Sequence, residues 1–214
     1  VHRKSIRMIR EASSETGRNI ALLADLPGPK IRIGNIRGGS CLLKQGDEVV
    51  LTTRDVTGTS SLIPVQFGEF SESVQAGERI FLNDGFIGLT VTAKNGSDVL
   101  CRVDIGGRLL SKKGMNLPDT RLTLEAVTES DLALLSFGIE EGIDLFGLSF
   151  VSSAADIRKA RRFASDKGRE ISVIAKIERR EALEHIDEII SEADAIMVAR
   201  GDLGVEIPIE QVPV

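Results

Sequence analysis

The run from Ser172 to Pro208 sets the topology of the chain around it. Residues 172–177 are apolar and β-branched, and the run ends on Lys176 and Glu178. An amphipathic stretch follows, with Ala182, Leu183, Ile186, Ile189 and Ile190 at helical spacing. A second apolar run, 195–199, then ends on Arg200-Gly201-Asp202. Strand, helix and strand over this length read as one βαβ unit with parallel strands and a right-handed crossover. Glu178 and Asp202 are then expected at the carboxyl ends of neighbouring strands, the edge where parallel α/β sheets bind ligands.

Two carboxylates one strand apart, with Lys176 beside one of them, have the composition of a divalent-metal site. Mg2+ takes oxygen ligands and fills its other positions with water and substrate oxygens. Gly201 leaves backbone N–H groups accessible where a helical turn can begin, a seat for an anion. The same spacing also fits a rim ion pair between Lys176 and Glu178, with Asp202 capping the next turn.

Upstream, the apolar spacing of Ile6, Ile9 and Ala12 predicts a helix over 1–15 that stops at Gly17. A short strand over 20–24 ends on Asp25, a third carboxylate at the same sheet edge. Leu26-Pro27-Gly28-Pro29 then breaks the pattern. From Lys30 to about Pro118 the chain consists of short alternating or apolar runs divided by turn residues, among them Asn95-Gly96, a hairpin signal. This reads as an all-β domain inserted into an α/β one. Helical spacing returns with a capping box at Thr128 and Asp131 and with Leu132, Leu135 and Ile139 on the buried face. A strand over 145–150 and a helix over 154–166 follow. The α/β part thus holds four strands, 20–24, 145–150, 172–177 and 195–199.

Composition excludes several classes. The chain has 214 residues and a net charge of −5 with both signs interspersed, which gives no case for nucleic acid or an anionic membrane as partner. No apolar run reaches membrane-spanning length. Tyr and Trp are absent, so there are few stacking platforms for single strands. Cys41 and Cys101 lack metal-ligand spacing and read as reduced thiols of a cytosolic protein.

The words DLPGPKIRIG (25–34), NDG (83–85), KKGMNLP (112–118), FGIEEGID…SFV (137–151), IAKIE (174–178) and MVARGDLGVEIP (197–208) closely resemble the pyruvate kinase family. The resemblance implies an α/β fold, a partial TIM-type (β/α)8 barrel with an inserted all-β (β-barrel) lid domain. Its parts would be 1–28 and 121–214 for the barrel and 29–120 for the lid. The implied reaction is phosphoryl transfer from phosphoenolpyruvate to ADP in glycolysis, giving pyruvate and ATP in the cytoplasm. By the same resemblance, Glu178 and Asp202 would hold Mg2+ or Mn2+. Lys176 and Arg32 would be catalytic; Lys176, Arg200, Gly201 and Asp202 would bind substrate. Arg32 and Lys113 would meet the nucleotide, with Lys112 beside Lys113 and Asp84 facing the cleft. A homo-oligomer, a tetramer, is implied for the full-length protein.

The chain departs from the family pattern in three places. A complete barrel needs roughly 250 residues and eight strands, whereas this chain starts inside the family's second helix and stops after its sixth strand. It therefore reads as a fragment, expected to be inactive alone. Ser152 stands where many members carry arginine. Potassium-dependent members read Asp-Thr-Lys-Gly-Pro-Glu where this chain has Asp25-Leu26-Pro27-Gly28-Pro29-Lys30. Lys30 for a carboxylate resembles the potassium-independent bacterial type, in which an ammonium replaces the monovalent cation beside Asp25. Two other readings stay open: a non-catalytic paralogue, and another Mg-dependent enolate enzyme on a phosphoenolpyruvate-binding barrel.

Overall fold

Two kinds of strand pairing divide the chain. The computed structural model describes residues 1–122 and 124–212. Its elements run α1 (His2–Thr16), β1 (Leu23–Leu26), β2 (Ser40–Leu43), β3 (Glu48–Thr52), β4 (Leu62–Pro64), α2 (Phe70–Ser73), β5 (Arg79–Leu82), β6 (Ile87–Asn95), β7 (Asp98–Ile105), β8 (Gly107–Leu110) and β9 (Met115–Asn116). They continue α3 (Glu129–Glu140), β10 (Leu145–Leu148), α4 (Ala154–Asp166), β11 (Ser172–Ile177), α5 (Arg180–Glu184), α6 (Ile186–Glu192), β12 (Ala195–Val198) and α7 (Arg200–Glu206). Two compact units result, Val1–Pro29 with Glu125–Ala199, and Lys30–Leu124 with Arg200–Val214.

The first unit is a four-stranded, all-parallel sheet in the order β1-β10-β11-β12. β1 begins at Leu23 rather than at residue 20. The reason lies at Leu22, whose amide donates to Asp144 Oδ2 (2.7 Å) and whose carbonyl accepts from Asp144 and Leu145. The Asp144 side chain thus holds the Leu22 amide just ahead of the ladder, which the Leu145 N–H opens, and Asp25 falls inside β1, opposite Gly147. The capping box appears as expected: Asp131 N–H donates to Thr128 Oγ1 (3.2 Å) and Thr128 N–H to Asp131 Oδ2 (3.0 Å). The stretch after β11 forms two short helices broken at His185 instead of one. Of its expected buried face only Ala182 and Ile189 are buried, while Leu183 and Ile190 stay exposed. β12 is also exposed along its length, because β11 is its only neighbour in the sheet among the described residues.

The second unit is built on a six-stranded sheet, β4-β3-β7-β6-β5-β9, antiparallel except for β3–β4, with β2–β8 as a separate antiparallel pair. Its core includes Leu51, Ile63, Phe70, Ile80, Leu82 and Ile87, none of them exposed. The Asn95-Gly96 signal does mark a hairpin: Asn95 pairs with Asp98, and Gly96 takes φ +59° at the turn. Burial pushes the Cys101 thiol up to about 12, with the charge of Asp104 adding to it, and Cys41 is raised by burial too. Both cysteines are free.

Gly138 shows how tightly α3 lies on β10. A Cβ there would stand 2.5 Å from Phe146 Cε1, and Phe146 is itself fully buried. Alanine is the better helix former by about 1 kcal/mol, but overpacking a full core costs about 1–3 kcal/mol. Gly138→Ala should therefore lower the Tm of the full-length protein. An unchanged or higher Tm would mean that the Phe146 ring can yield.

Candidate active site

Strand parity places the first group of candidate residues. Along β11, Val173, Ala175 and Ile177 are buried, while Ile174 and Lys176 lie half-buried on the opposite face. Glu178 continues that second face one step beyond the strand. Parallel register sets Gly147 beside Ile174 and Asp25 beside Gly147. The absence of a side chain at Gly147 leaves room for its neighbours, since a Cβ there would touch Asp25 Oδ1 and Lys176 Cδ at 3.5 and 3.7 Å.

The Lys176 ammonium is the centre of this group. It donates to Asp25 Oδ1 and Oδ2 (2.9 and 3.1 Å) and to Ser149 Oγ (2.9 Å), and lies 3.2 Å from Glu178 Oε1. Burial alone works against its charge, but the hydrogen bond to Asp25 and the charge of Glu178 outweigh that penalty and raise its pKa. Glu178 is only 3% exposed, and its Oε2 accepts the Phe150 N–H at 2.8 Å. Asp25 is the open side of the cluster, with its side chain 57% exposed.

The second unit gathers another set. Asp202 lies in the first turn of α7 rather than on a strand. Lys30 Nζ stands 2.7 Å from Asp202 Oδ1 and 3.8 Å from Asp84 Oδ1. Asp84 belongs to a left-handed turn, Asn83-Asp84-Gly85, that joins β5 to β6. Arg32 is exposed and donates to the Lys112 carbonyl (3.2 Å), while the Lys113 carbonyl accepts from Ile33 N–H (3.0 Å). Arg200 and Gly201 are exposed at the start of α7. Neither histidine joins these groups; His185 pairs with Glu188 on an exposed helix face.

Two contacts with the Lys176 cluster, those of Ser149 and Phe150, go beyond the residues that the sequence singles out. They follow β10 directly, so the strand-end rule that points to Glu178 reaches them too. Ser152 closes the start of α4, where its N–H and hydroxyl both donate to Asp156 Oδ2 (2.9 Å each).

A parallel α/β sheet thus carries a lysine–carboxylate centre at its strand ends, the edge where such sheets bind ligands. The family model described as "Pyruvate kinase, barrel domain" matches residues 1–214. Pyruvate kinase of Thermococcus litoralis is 46% identical over 213 residues, covering 100% of this chain and 45% of that protein. The Geobacillus stearothermophilus enzyme of the same name is 43% identical, over 99% of this chain and 37% of its own length. That of Corynebacterium efficiens is 40% identical, over 99% of this chain and 45% of its own. The chain belongs to the pyruvate kinase family, and it spans less than half the length of these relatives.

The raised pKa of Lys176 has a defined consequence for stability. The contribution is present in full below the ordinary lysine value of 10.5 and is lost as pH rises through the higher folded value. The stability gap between wild type and Lys176→Met, read from denaturant midpoints of the full-length protein, should stay constant from about pH 6 to about pH 9 and narrow only above that. Narrowing already near neutrality would mean that these carboxylates do not hold the ammonium.

Proposed function

We propose that the full-length protein transfers the phosphoryl group of phosphoenolpyruvate to ADP, yielding pyruvate and ATP. The observation that carries this reading is the half-buried Lys176 ammonium held among Asp25, Ser149 and Glu178, in a chain whose relatives bear the name pyruvate kinase. The bond from phosphorus to the enol oxygen breaks as one to the terminal ADP oxygen forms. The enolate left behind takes a proton at carbon to become pyruvate.

Lys176 meets the phosphoryl oxygens and stabilises the enolate oxygen as its charge develops, work that falls to fixed cations in such transfers. Arg32 reaches the nucleotide phosphates, and Lys113 approaches the nucleotide with Lys112 beside it. The backbone of Arg200, Gly201 and Asp202 seats the substrate carboxylate. Glu178 and Asp202 are the ligands for Mg2+ or Mn2+. Their donor chemistry fits: both offer anionic oxygen, and such an ion needs only one or two carboxylates besides substrate oxygens. No cluster of three His, Cys, Asp or Glu that could hold a metal exists among the described residues. When bound, the ion neutralises charge on the phosphoryl oxygens.

Lys30 serves in place of the monovalent cation that other members bind beside Asp25. Its ammonium lies on Asp202 and Asp84, where a glutamate would bring three carboxylates together and call for a bound cation; Asp25 itself is paired with Lys176. We assign 1–28 and 121–214 to the barrel and 29–120 to the inserted β-barrel lid. The full-length protein is a cytoplasmic homo-oligomer, a tetramer. Among the described residues no helix is long and apolar enough to cross a membrane.

A coupled assay of the full-length protein with phosphoenolpyruvate and ADP tests the reaction directly, and absence of turnover refutes it. Lys176→Met should lower kcat by at least about 100-fold, roughly the loss seen for one oxyanion donor, with little change in KM. Glu178→Gln and Asp202→Asn should instead raise the Mg2+ concentration needed. Wild type should work without potassium, and Lys30→Glu should create a requirement for it; a wild type silent without potassium sinks that assignment. The 214-residue chain alone should show negligible turnover, since among the described residues the outer strands β1 and β12 of its sheet leave edges unpaired.

A further inference from the structure

Ser149 and Phe150 form a corner immediately after β10, and each touches a different member of the Lys176–Glu178 pair. Ser149 is 4% exposed; its hydroxyl accepts from Lys176 Nζ (2.9 Å) and donates to Asp25 Oδ1 (3.4 Å). Phe150 takes φ +57°, a left-handed conformation that a bulky residue rarely adopts. This turn aims its amide at Glu178 Oε2, 2.8 Å away.

The corner is braced on both sides. A Cβ on Gly28 would stand 3.0 Å from both the Ser149 carbonyl oxygen and Phe150 Cδ2, so only glycine lets that segment pack here. The Gly28 N–H is tied in turn to the buried Asp131 carboxylate (3.1 Å). Downstream, Val151 is fully buried, and Ser152 and Ser153 are anchored to Asp156. Uncommon backbone conformations persist only where the surroundings over-determine them, and they gather where geometry matters.

We propose that the Ser149–Phe150 corner is a positioning element of the catalytic centre. The left-handed Phe150 amide fixes the Glu178 carboxylate for the divalent ion, and the Ser149 hydroxyl fixes the Lys176 ammonium for the reacting oxygens. This rests on the metal and lysine roles assigned above. It adds that backbone conformation, rather than the phenylalanine ring, sets the Glu178 ligand. One carboxylate oxygen is held by the amide and the other faces Lys176, so the carboxylate cannot rotate without losing both contacts.

The test is Mn2+ titration of the full-length protein by electron paramagnetic resonance without substrates, alongside steady-state kinetics. Phe150→Asn, which tolerates positive φ, should keep Mn2+ affinity within about twofold, whereas Phe150→Val, which resists it, should weaken binding about tenfold or more. A ring that mattered only for packing would give the reverse order, since valine is the apolar replacement. Ser149→Ala should leave Mn2+ affinity unchanged and lower kcat about tenfold, with KM for phosphoenolpyruvate within about twofold. If Phe150→Val does not fold, Gly28→Ala presses on the same corner and should weaken Mn2+ binding in its place. The proposal is overturned if valine binds Mn2+ as tightly as wild type, if asparagine binds more weakly than valine, if Gly28→Ala leaves affinity unchanged, or if Ser149→Ala acts on KM alone. It is also overturned if wild type binds no Mn2+. A wild type that binds Mn2+ with the expected order of variants yet turns over no phosphoenolpyruvate upholds the hold of Phe150 on Glu178 and refutes the reaction together with the Ser149 role, which is read from kcat.

Discussion

The burial of a carboxylate and an ammonium side by side governs the first unit. Glu178 is nearly inaccessible and Lys176 only 12% exposed, and a buried charge is stable only when paired and hydrogen-bonded. Lys176 has three ammonium protons and finds Asp25, Ser149 and Glu178 around it. Glu178 receives a backbone amide as well. Removing any one of these partners leaves a charge without full compensation. The cluster therefore demands that β1, β10 and β11 keep their register, and the parallel ladders supply it.

Backbone conformation is the second constraint. Among the described residues, the non-glycine positions with positive φ are Asn83, Asp84, Lys112 and Phe150. Each falls within or beside the side chains to which the proposed chemistry is assigned. Asp84 faces Lys30, Lys112 offers its carbonyl to Arg32, and Phe150 offers its amide to Glu178. Left-handed residues turn the chain within one or two positions, so a short loop can present a polar group that an extended strand would direct into its ladder. Elsewhere in the second unit glycines take the left-handed conformation, at turns such as Gly46, Gly77 and Gly96 that lie apart from these side chains in the sequence.

Local signals are reliable where a local cause decides the outcome. The Thr128–Asp131 box, the helix Ala154–Asp166 and the strand Ser172–Ile177 depend on capping, spacing and β-branching within a few residues. β1 starts later than its apolar run suggests, just after Leu22, whose amide is held by Asp144, distant in sequence. The apolar spacing after β11 continues through His185 and so suggests one helix, whereas the chain breaks there into two. β12 is an apolar run and yet is exposed, since among the described residues β11 is its only neighbour in the sheet.

By itself the sequence determined the parallel α/β class, the change to short strands after Pro29, and the family, through words as specific as IAKIE and MVARGDLGVEIP. It also named Lys176, Glu178 and Asp25 as candidates, because residue type and position at a strand end are local properties. Only the tertiary structure decided which groups touch. That Ser149 and Phe150 brace the lysine and glutamate, that Asp131 serves both a helix cap and the Gly28 amide, and that Lys30 lies on Asp202 are pairings across long sequence separations. Such pairings follow from strand register and loop packing, which no local pattern of residues encodes.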